Sequence, residues 1–103
     1  MQLDSFTDLK RCPVAVVKCS APWCKPCVTI QPLFEELART LGVPAFTLDV
    51  SEPPSGMDTL LERVTVVPTF FECRDGEAVR ILEGSDPTSL REFFGGFQTA
   101  LAK

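Results

Sequence analysis

The stretch that decides the fold is Ala21-Pro22-Trp23-Cys24-Lys25-Pro26-Cys27, in which two cysteines are separated by two residues. It follows Val14–Cys19, a nearly continuous apolar run that is typical of a buried central strand. After the cysteine pair, apolar residues recur at helical spacing, and Gly42 ends this pattern. The cysteine pair is therefore predicted to lie where a strand passes into the first turn of a helix.

This placement gives the two cysteines different chemistry. A helix N-terminus carries a partial positive charge and free N–H donors, and both stabilise a thiolate, so Cys24 is expected to have a lowered pKa. Cys27 lies one helical turn further on, within reach of a mixed disulfide formed on Cys24. Lys25 adds a second positive charge, and Pro26 restricts the backbone between the cysteines. The motif predicts thiol–disulfide exchange.

Two alternative interpretations of the cysteine pair are that it forms half of a metal site or that it consists of two buried thiols. The chain has five cysteines and no histidine, so every histidine-containing zinc site is excluded. Cys12, Cys19 and Cys73 are isolated from the pair and from one another, and no metal is expected. The odd number argues against a secreted disulfide framework. We expect Cys19 to be buried and Cys12 and Cys73 to be more exposed; a regulatory or dimer disulfide is not favoured.

The remaining patterns predict one α/β domain over residues 1–103, with a central mixed sheet and helices on both faces. The signals include a two-residue hairpin turn at Asp75-Gly76, a helix N-cap at Asp86 and a glycine pair, Gly95-Gly96, expected to interrupt the last helix. The predicted elements are strand Met1–Leu3, helix Asp4–Arg11 with Asp4 as its N-cap, strand Val14–Cys19, the helix after Cys24, strand Ala45–Val50, helix Met57–Arg63, strands Thr69–Arg74 and Ala78–Glu83, and a helix from Pro87.

Composition narrows the function classes further. The net charge is −4 and no run of like charge stands out, which argues against a nucleic-acid partner. No stretch approaches the ~20 apolar residues that a membrane span needs, and the first residues do not resemble a signal peptide. We therefore expect a soluble, cytoplasmic protein that binds neither nucleic acid nor membrane and is a monomer.

The sequence resembles the thioredoxin family over essentially its whole length. The matching landmarks, in the same order and at similar spacing, are Ala21-Pro22-Trp23-Cys24-Lys25-Pro26-Cys27, Pro32, Asp49, Val67-Pro68-Thr69-Phe70, Asp75-Gly76-Glu77 and Gly84. The resemblance implies the thioredoxin fold, with Pro68 in the cis form facing the cysteine pair. It also implies that the backbone of Val67 pairs with a substrate peptide, and that Trp23 and Pro68 shape the docking surface.

The resemblance further implies a function. Cys24 attacks a target disulfide, and Cys27 resolves the mixed disulfide and releases the reduced target. The partners would be disulfide-containing proteins and a flavin-dependent thioredoxin reductase that uses NADPH, with the Cys24–Cys27 disulfide as the only redox group and no bound cofactor. The alternatives are a thioredoxin-fold binding or scaffold module and a specialised electron donor with few targets.

Two departures from the family concern charge near the cysteines. Lys25 replaces a common glycine and is expected to favour the thiolate, which makes the protein more oxidising. Lys18 stands where the family usually has a buried aspartate that moves a proton to or from the resolving cysteine, and Thr47 stands where a neighbouring lysine is frequent. Lys18 could reach water, lie neutral beneath Cys27 as a proton acceptor, or pair with Glu72. We favour the pair with Glu72, which would then serve as the base.

Overall fold

The structure is a computed structural model that describes the backbone of residues 6–101 and the side chains of residues 7–97. The predicted strand Met1–Leu3 and the predicted cap Asp4 lie outside the described residues. The described elements follow the predicted order: α1 (Phe6–Lys10), β1 (Val14–Ser20), α2 (Lys25–Leu41), β2 (Ala45–Asp49), α3 (Asp58–Leu61), β3 (Thr69–Arg74), β4 (Glu77–Glu83) and α4 (Pro87–Leu101).

The four described strands form one mixed sheet in the order β2-β1-β3-β4. Strands β1 and β2 are parallel and are joined by the crossover through α2 that parallel pairing requires, whereas β1 and β3, and β3 and β4, are antiparallel. The central position of β1 explains its apolar sequence, since five of its seven residues are buried. The predicted mixed sheet is confirmed.

Alternation along β1 divides the core between the two faces of the sheet. Val16 packs with α2 and α4, through residues such as Phe34 and Phe94. Val17, one position on, packs on the opposite face with Leu9 of α1 and with residues of the α3 segment. Helices therefore cover both faces, as predicted.

The turn and cap signals are also confirmed. Asp75 and Gly76 join β3 to β4 with φ angles of 52° and 88°, and positive φ at both central positions is what a type I′ hairpin turn needs. Asp86 caps the start of α4, because its carboxylate accepts the N–H of Ser89 at 3.1 Å. Gly42, with φ of 74°, ends α2 in the left-handed conformation.

The expectation that Gly95-Gly96 interrupts the last helix is wrong, because α4 runs through both glycines. Burial of Phe93, Phe94 and Phe97 in the core holds this segment helical despite its glycines, and a neighbouring side chain accounts for the glycine at position 96. The guanidinium of Arg80 lies so close to Gly96 that a Cβ there would come within 2.5–2.9 Å of it. A Cβ at Gly95 would meet nothing within 4 Å. The missing side chain at Gly96 therefore makes room for Arg80 on the surface of the helix.

This difference predicts opposite effects of alanine at the two glycines. Gly95→Ala should raise the free energy of unfolding by about 0.5–1 kcal/mol, since alanine favours a helix over glycine by that amount. Gly96→Ala should lower it by about 1–3 kcal/mol, the usual range for overpacking, because Arg80 must leave its bonds to Glu72 and Phe93. Urea unfolding of both variants measures the difference, and equal stabilisation would contradict the account.

Candidate active site

The cysteine pair lies at the junction between β1 and α2, as predicted. Cys24 is the N-cap residue of α2, and its Sγ accepts a hydrogen bond from the backbone N–H of Cys27 at 3.2 Å. The two residues form a disulfide, with Cα atoms 5.3 Å apart. Both are buried, together with Ala21, in a small cluster against which Val67 packs. The sulfur of Cys24 is thus held where free N–H groups of a helix converge.

The electrostatics of this helix end favour negative charge on Cys24. Helix α2 has 17 residues and no acidic residue in its first turn, so its N-terminal positive end is not neutralised by its own sequence. Pro26 lies in that first turn, where a proline N–H would have no helical partner in any case. Lys25 is exposed beside Cys24. In the reduced protein, this setting stabilises the Cys24 thiolate.

An apolar surface surrounds the pair. Trp23 is 72% exposed and Val66 48% exposed, although both are large apolar side chains. Both line a groove of about 620 Å³ that also includes Val67. The Val67–Pro68 peptide bond is cis, as the resemblance implied, and Pro68 is buried. The residues expected to contact a substrate peptide therefore lie together beside the cysteines.

The structure places Lys18 beneath Cys27. Its side chain is buried, with a relative exposure of 2%, and its Nζ donates to the backbone oxygen of Cys27 at 2.7 Å and to Oε1 of Gln31. The amide of Gln31 in turn donates to the carboxylate of Glu35 at 2.9 Å. Thr47 is the register neighbour of Lys18 on β2, as the sequence suggested.

The predicted pair between Lys18 and Glu72 is wrong. The two residues do share a face of the sheet, but the register sets Lys18 opposite Phe70 and Glu72 opposite Val16, so they are only diagonal neighbours. Glu72 instead forms salt bridges with Arg74 and with Arg80, which is its direct partner across β3 and β4. Glu72 is therefore held by two arginines, and the role of base for the cysteines does not fit it.

Burial changes the proton affinity of Lys18. Desolvation lowers the pKa of its ammonium group from 10.5 to about 8, and the carboxylate of Glu35 opposes this change. Asp49 and Lys18 line one groove, distinct from the groove beside Trp23, and hydrogen bonds from Ser51 lower the pKa of the Asp49 carboxyl group. Lys18 thus exchanges its proton near neutral pH while the carboxylate of Asp49 stays ionised.

The lowered pKa of Lys18 predicts a pH-dependent stability. Between pH 8 and 10.5 the unfolded chain binds the proton of Lys18 and the folded chain does not, so this group makes the free energy of unfolding rise with pH. Burial raises the pKa of Cys19 and Cys73 to about 12, which acts in the opposite direction above pH 9.

The comparison of wild type with Lys18→Met cancels the contribution of these two cysteines. We expect Lys18→Met to be stabilised most below pH 8, with the advantage shrinking towards pH 10.5. Urea unfolding at a series of pH values measures it, with Lys10→Met as a surface control. A difference that does not change with pH would contradict the prediction.

The other three cysteines take no part in the site. Cys19 is fully buried, as expected, and Cys12 is half-buried with its Sγ 3.7 Å from the carbonyl oxygen of Asp8. The expectation of a more exposed Cys73 is wrong, since it is fully buried in the core on the α1 side of the sheet. Raised pKa values keep the thiols of Cys19 and Cys73 protonated and unreactive.

The position of Lys25 predicts a modest change of redox potential. We expect Lys25→Gly to make the protein more reducing by about 5–20 mV, because an exposed charge stabilises a neighbouring thiolate only weakly. Lys25→Gln removes the same charge without adding backbone freedom and should give the same shift. Equilibration with glutathione, read by Trp23 fluorescence, measures it, and Lys10→Gln serves as a distant control. An unchanged potential in both Lys25 variants would exclude the charge effect.

The described residues contain neither a cluster of metal-ligating side chains nor a helix able to cross a membrane. Among residues 6–101, no group of three or more histidine, cysteine, aspartate or glutamate side chains is arranged to hold a metal ion. In the same part of the chain, no helix has the length and apolar character needed to cross a membrane.

The fold and the site define an α/β protein with a disulfide-forming pair at a helix N-terminus, and known proteins are similar to it in sequence and in fold. The family model described as Thioredoxin matches residues 5–95. Putative thioredoxin-5 of Dictyostelium discoideum is 33% identical over 86 residues, which cover 81% of this chain and 80% of that protein. Thioredoxin of Coprinus comatus is 29% identical, covering 85% of each chain. The match to thioredoxin-like protein 1 of Schizosaccharomyces pombe, at 35% identity, spans only 27% of that longer protein.

Solved structures agree with the sequence matches. The thioredoxin of Fasciola hepatica superimposes with a TM-score of 0.78 at 31% identity, covering 93% of this chain and 98% of that one. Oxidised mitochondrial thioredoxin 3 of Saccharomyces cerevisiae gives a TM-score of 0.79 at 28% identity, with 93% of each chain covered. The chain belongs to the thioredoxin family. Its Cys24–Cys27 disulfide matches the thiol–disulfide oxidoreductase chemistry of that family.

The partners of the two buried charged residues, Lys18 and Glu72, were not predicted from the sequence. Gln31 and Glu35 follow Cys27 at intervals of four residues, so all three lie on one stripe of α2, and this spacing was visible in the sequence. Counting back from the Asp75-Gly76 turn would set Val79 opposite Glu72, and the irregular register between Glu72 and Cys73 moves Arg80 into that position instead.

Proposed function

We propose that the protein is a general protein-disulfide reductase whose Cys24–Cys27 dithiol passes two electrons to target disulfides. The observation that carries the proposal is the position of Cys24 as N-cap of α2, with its Sγ accepting the N–H of Cys27, beside the exposed apolar side chain of Trp23. A stabilised thiolate next to an open apolar surface is suited to attack on disulfides in other proteins.

The reaction has two steps. The thiolate of Cys24 attacks one sulfur of the target disulfide, a bond forms between them, and the other target sulfur leaves as a thiolate that takes a proton from water. Cys27, deprotonated, then attacks the sulfur of Cys24, the Cys24–target bond breaks, and the second target sulfur leaves and is protonated. The target disulfide gains two electrons and becomes two thiols, while the dithiol becomes the Cys24–Cys27 disulfide.

Turnover needs a source of electrons and a reducing location. We propose an NADPH-dependent thioredoxin reductase, or an equivalent enzyme, as the partner that restores the dithiol. We also propose a cytoplasmic location, in which electrons pass from the reductase to target proteins. Such a compartment keeps isolated thiols such as Cys12 reduced, so they would not compete with the active pair.

The test is reduction of insulin with dithiothreitol as the electron source. Wild type should accelerate precipitation of the insulin B chain, whereas Cys24→Ser should show only the background rate. Cys12→Ser, which removes a half-buried thiol outside the site, is the matched control and should keep the wild-type rate. A wild-type rate equal to that of Cys24→Ser would favour a binding or scaffold module. Reduction of a few disulfide proteins but not of insulin would favour a specialised electron donor.

A further inference from the structure

A groove separate from the Trp23 surface leads to the second cysteine. It has a volume of about 440 Å³ and is lined by residues that include Lys18, Cys27, Gln31, Glu35 and Asp49. Cys27 is almost completely buried, with 1% of its surface exposed, so its thiol exchanges protons poorly with bulk water. The ionisable amine of Lys18 and the thiol of Cys27, which must lose a proton, therefore line the same groove.

We infer that Lys18 is the general base that deprotonates Cys27 in the resolving step, and that Gln31 and Glu35 are the positioning residues that hold it there. The inference rests on the proposed reductase function. Lys18 Nζ lies 2.7 Å from the backbone oxygen of Cys27, and its hydrogen bond to Gln31 fixes the direction of the side chain. The bond from Gln31 to Glu35 extends this chain to an exposed carboxylate.

The proton and the electrons balance in this step. The neutral amine of Lys18 takes the proton of the Cys27 thiol, leaving a thiolate beside a new ammonium group. The thiolate forms the bond to Cys24, and the target sulfur leaves with the electron pair of the broken bond. That sulfur takes a proton from water, and the ammonium of Lys18 returns its proton to solvent through the groove.

Every element packed against Lys18 contributes surroundings that suit a general base. Helix α2 supplies the carboxylate of Glu35, β2 supplies Asp49 and the neutral Thr47, and β3 places the apolar Phe70 opposite Lys18. Desolvation, opposed by the carboxylate of Glu35, leaves the pKa of Lys18 at about 8, close to that of an ordinary thiol. A base with a pKa near the working pH transfers protons most efficiently.

The test separates the two steps by stopped-flow mixing of the reduced protein with a peptide disulfide. The first phase, formation of the mixed disulfide, depends on peptide concentration, and the second phase, attack by Cys27, does not. Lys18→Met should leave the first phase within about twofold of wild type and slow the second at least ~10-fold, the lower end for loss of a general base. Lys18→Gln, a second variant of similar length, should behave in the same way.

The pH profile of the second phase distinguishes a base from a merely structural lysine. Glu35→Gln should move the inflection to lower pH, because the Glu35 carboxylate raises the pKa of Lys18. The same substitution in the Lys18→Met background should have no effect. Glu36→Gln, on the next residue of α2 and also exposed, is the matched control.

Two results would overturn the inference. One is that the second phase of Lys18→Met has the rate and the pH inflection of wild type. The other is that Glu35→Gln moves the pH inflection equally in the wild-type and in the Lys18→Met background. Failure of the proposed function looks different, since wild type would then show no first phase above that of Cys24→Ser. Circular dichroism and the Trp23 fluorescence change on reduction verify that each variant is folded.

Discussion

Replacement of Arg80 by methionine is expected to lower the free energy of unfolding by about 1–3 kcal/mol, because it removes one partner of a buried carboxylate, while the Arg80 side chain itself is 38% exposed and screened by solvent. The side chain of Glu72 is only 4% exposed, and Arg80 is one of its two cationic partners. Arg80 also donates to the backbone oxygen of Phe93 at 2.7 Å and lies 4.4 Å from the centre of the Phe93 ring. The substitution would leave a buried carboxylate with Arg74 alone and remove the link between β4 and α4.

Two further variants sharpen this prediction. The double variant Glu72→Met/Arg80→Met should recover most of the loss, because it removes the buried carboxylate together with the partner that it would otherwise lack. Arg91→Met removes an exposed arginine of α4 and should change stability by less than ~0.5 kcal/mol. Urea unfolding measures all three. An equal loss in the single and double variants would show that packing, not the unpaired carboxylate, determines the effect.

The same double variant also tests the corrected role of Glu72. Because Glu72 is bonded to Arg74 and Arg80, and the contacts of Lys18 are with Cys27 and Gln31, the wild-type rate of insulin reduction is expected for Glu72→Met/Arg80→Met. A large loss of activity in a folded double variant would restore Glu72 as the base.

Local signals in the sequence were sufficient for the fold. The apolar run of β1, the cysteine pair before α2, the Asp75-Gly76 turn and the Asp86 cap each act within a few residues, and each matches the structure. Such features depend on backbone conformations and on hydrogen bonds between near neighbours in the chain, which the residue types reveal directly.

The partners of the buried charges depend on contacts between distant elements, and these were harder to predict. The sequence placed Lys18 and Glu72 on one face of the sheet correctly, but it did not show that α2 crosses Lys18 and brings Gln31 to it. Glu72 was predicted to reach across β1, whereas the hairpin sets Arg80 directly opposite it. A shared face limits the available partners, and the register and the covering helix select among them.

Gly96 and Cys73 show that packing between distant elements also limits what the sequence can predict. Helix propensity alone predicts an interruption at Gly95-Gly96, but Phe93, Phe94 and Phe97 pack in the core and hold the segment helical. The position of Cys73 near a strand end suggested exposure, but α1 covers that end of the sheet. In both cases packing against other elements determined the outcome.

The largest functional effect is expected for Cys27→Ser, which should convert a transient mixed disulfide into a stable one. Cys24 would still attack a target, since its thiolate is stabilised by the N-terminus of α2 and by Lys25, which the substitution leaves in place. Release of the target would then depend on an external thiol. Because a correctly placed intramolecular nucleophile has a very high effective molarity, the lifetime of the complex should increase by ~10³-fold or more.

Non-reducing electrophoresis measures this lifetime, and dithiothreitol should release the bound targets. Cys24→Ser/Cys27→Ser is the matched control, because it has the same serine at position 27 but no attacking sulfur, and it should trap nothing. Trapping by Cys24→Ser alone would instead make Cys27 an attacking residue. That result would contradict the separate roles of attacking and resolving cysteine derived from the structure. There, Cys24 is the N-cap of α2, and Cys27 is buried and its backbone oxygen accepts a hydrogen bond from Lys18. The asymmetry of these two environments is the physical reason to expect trapping by one cysteine variant only.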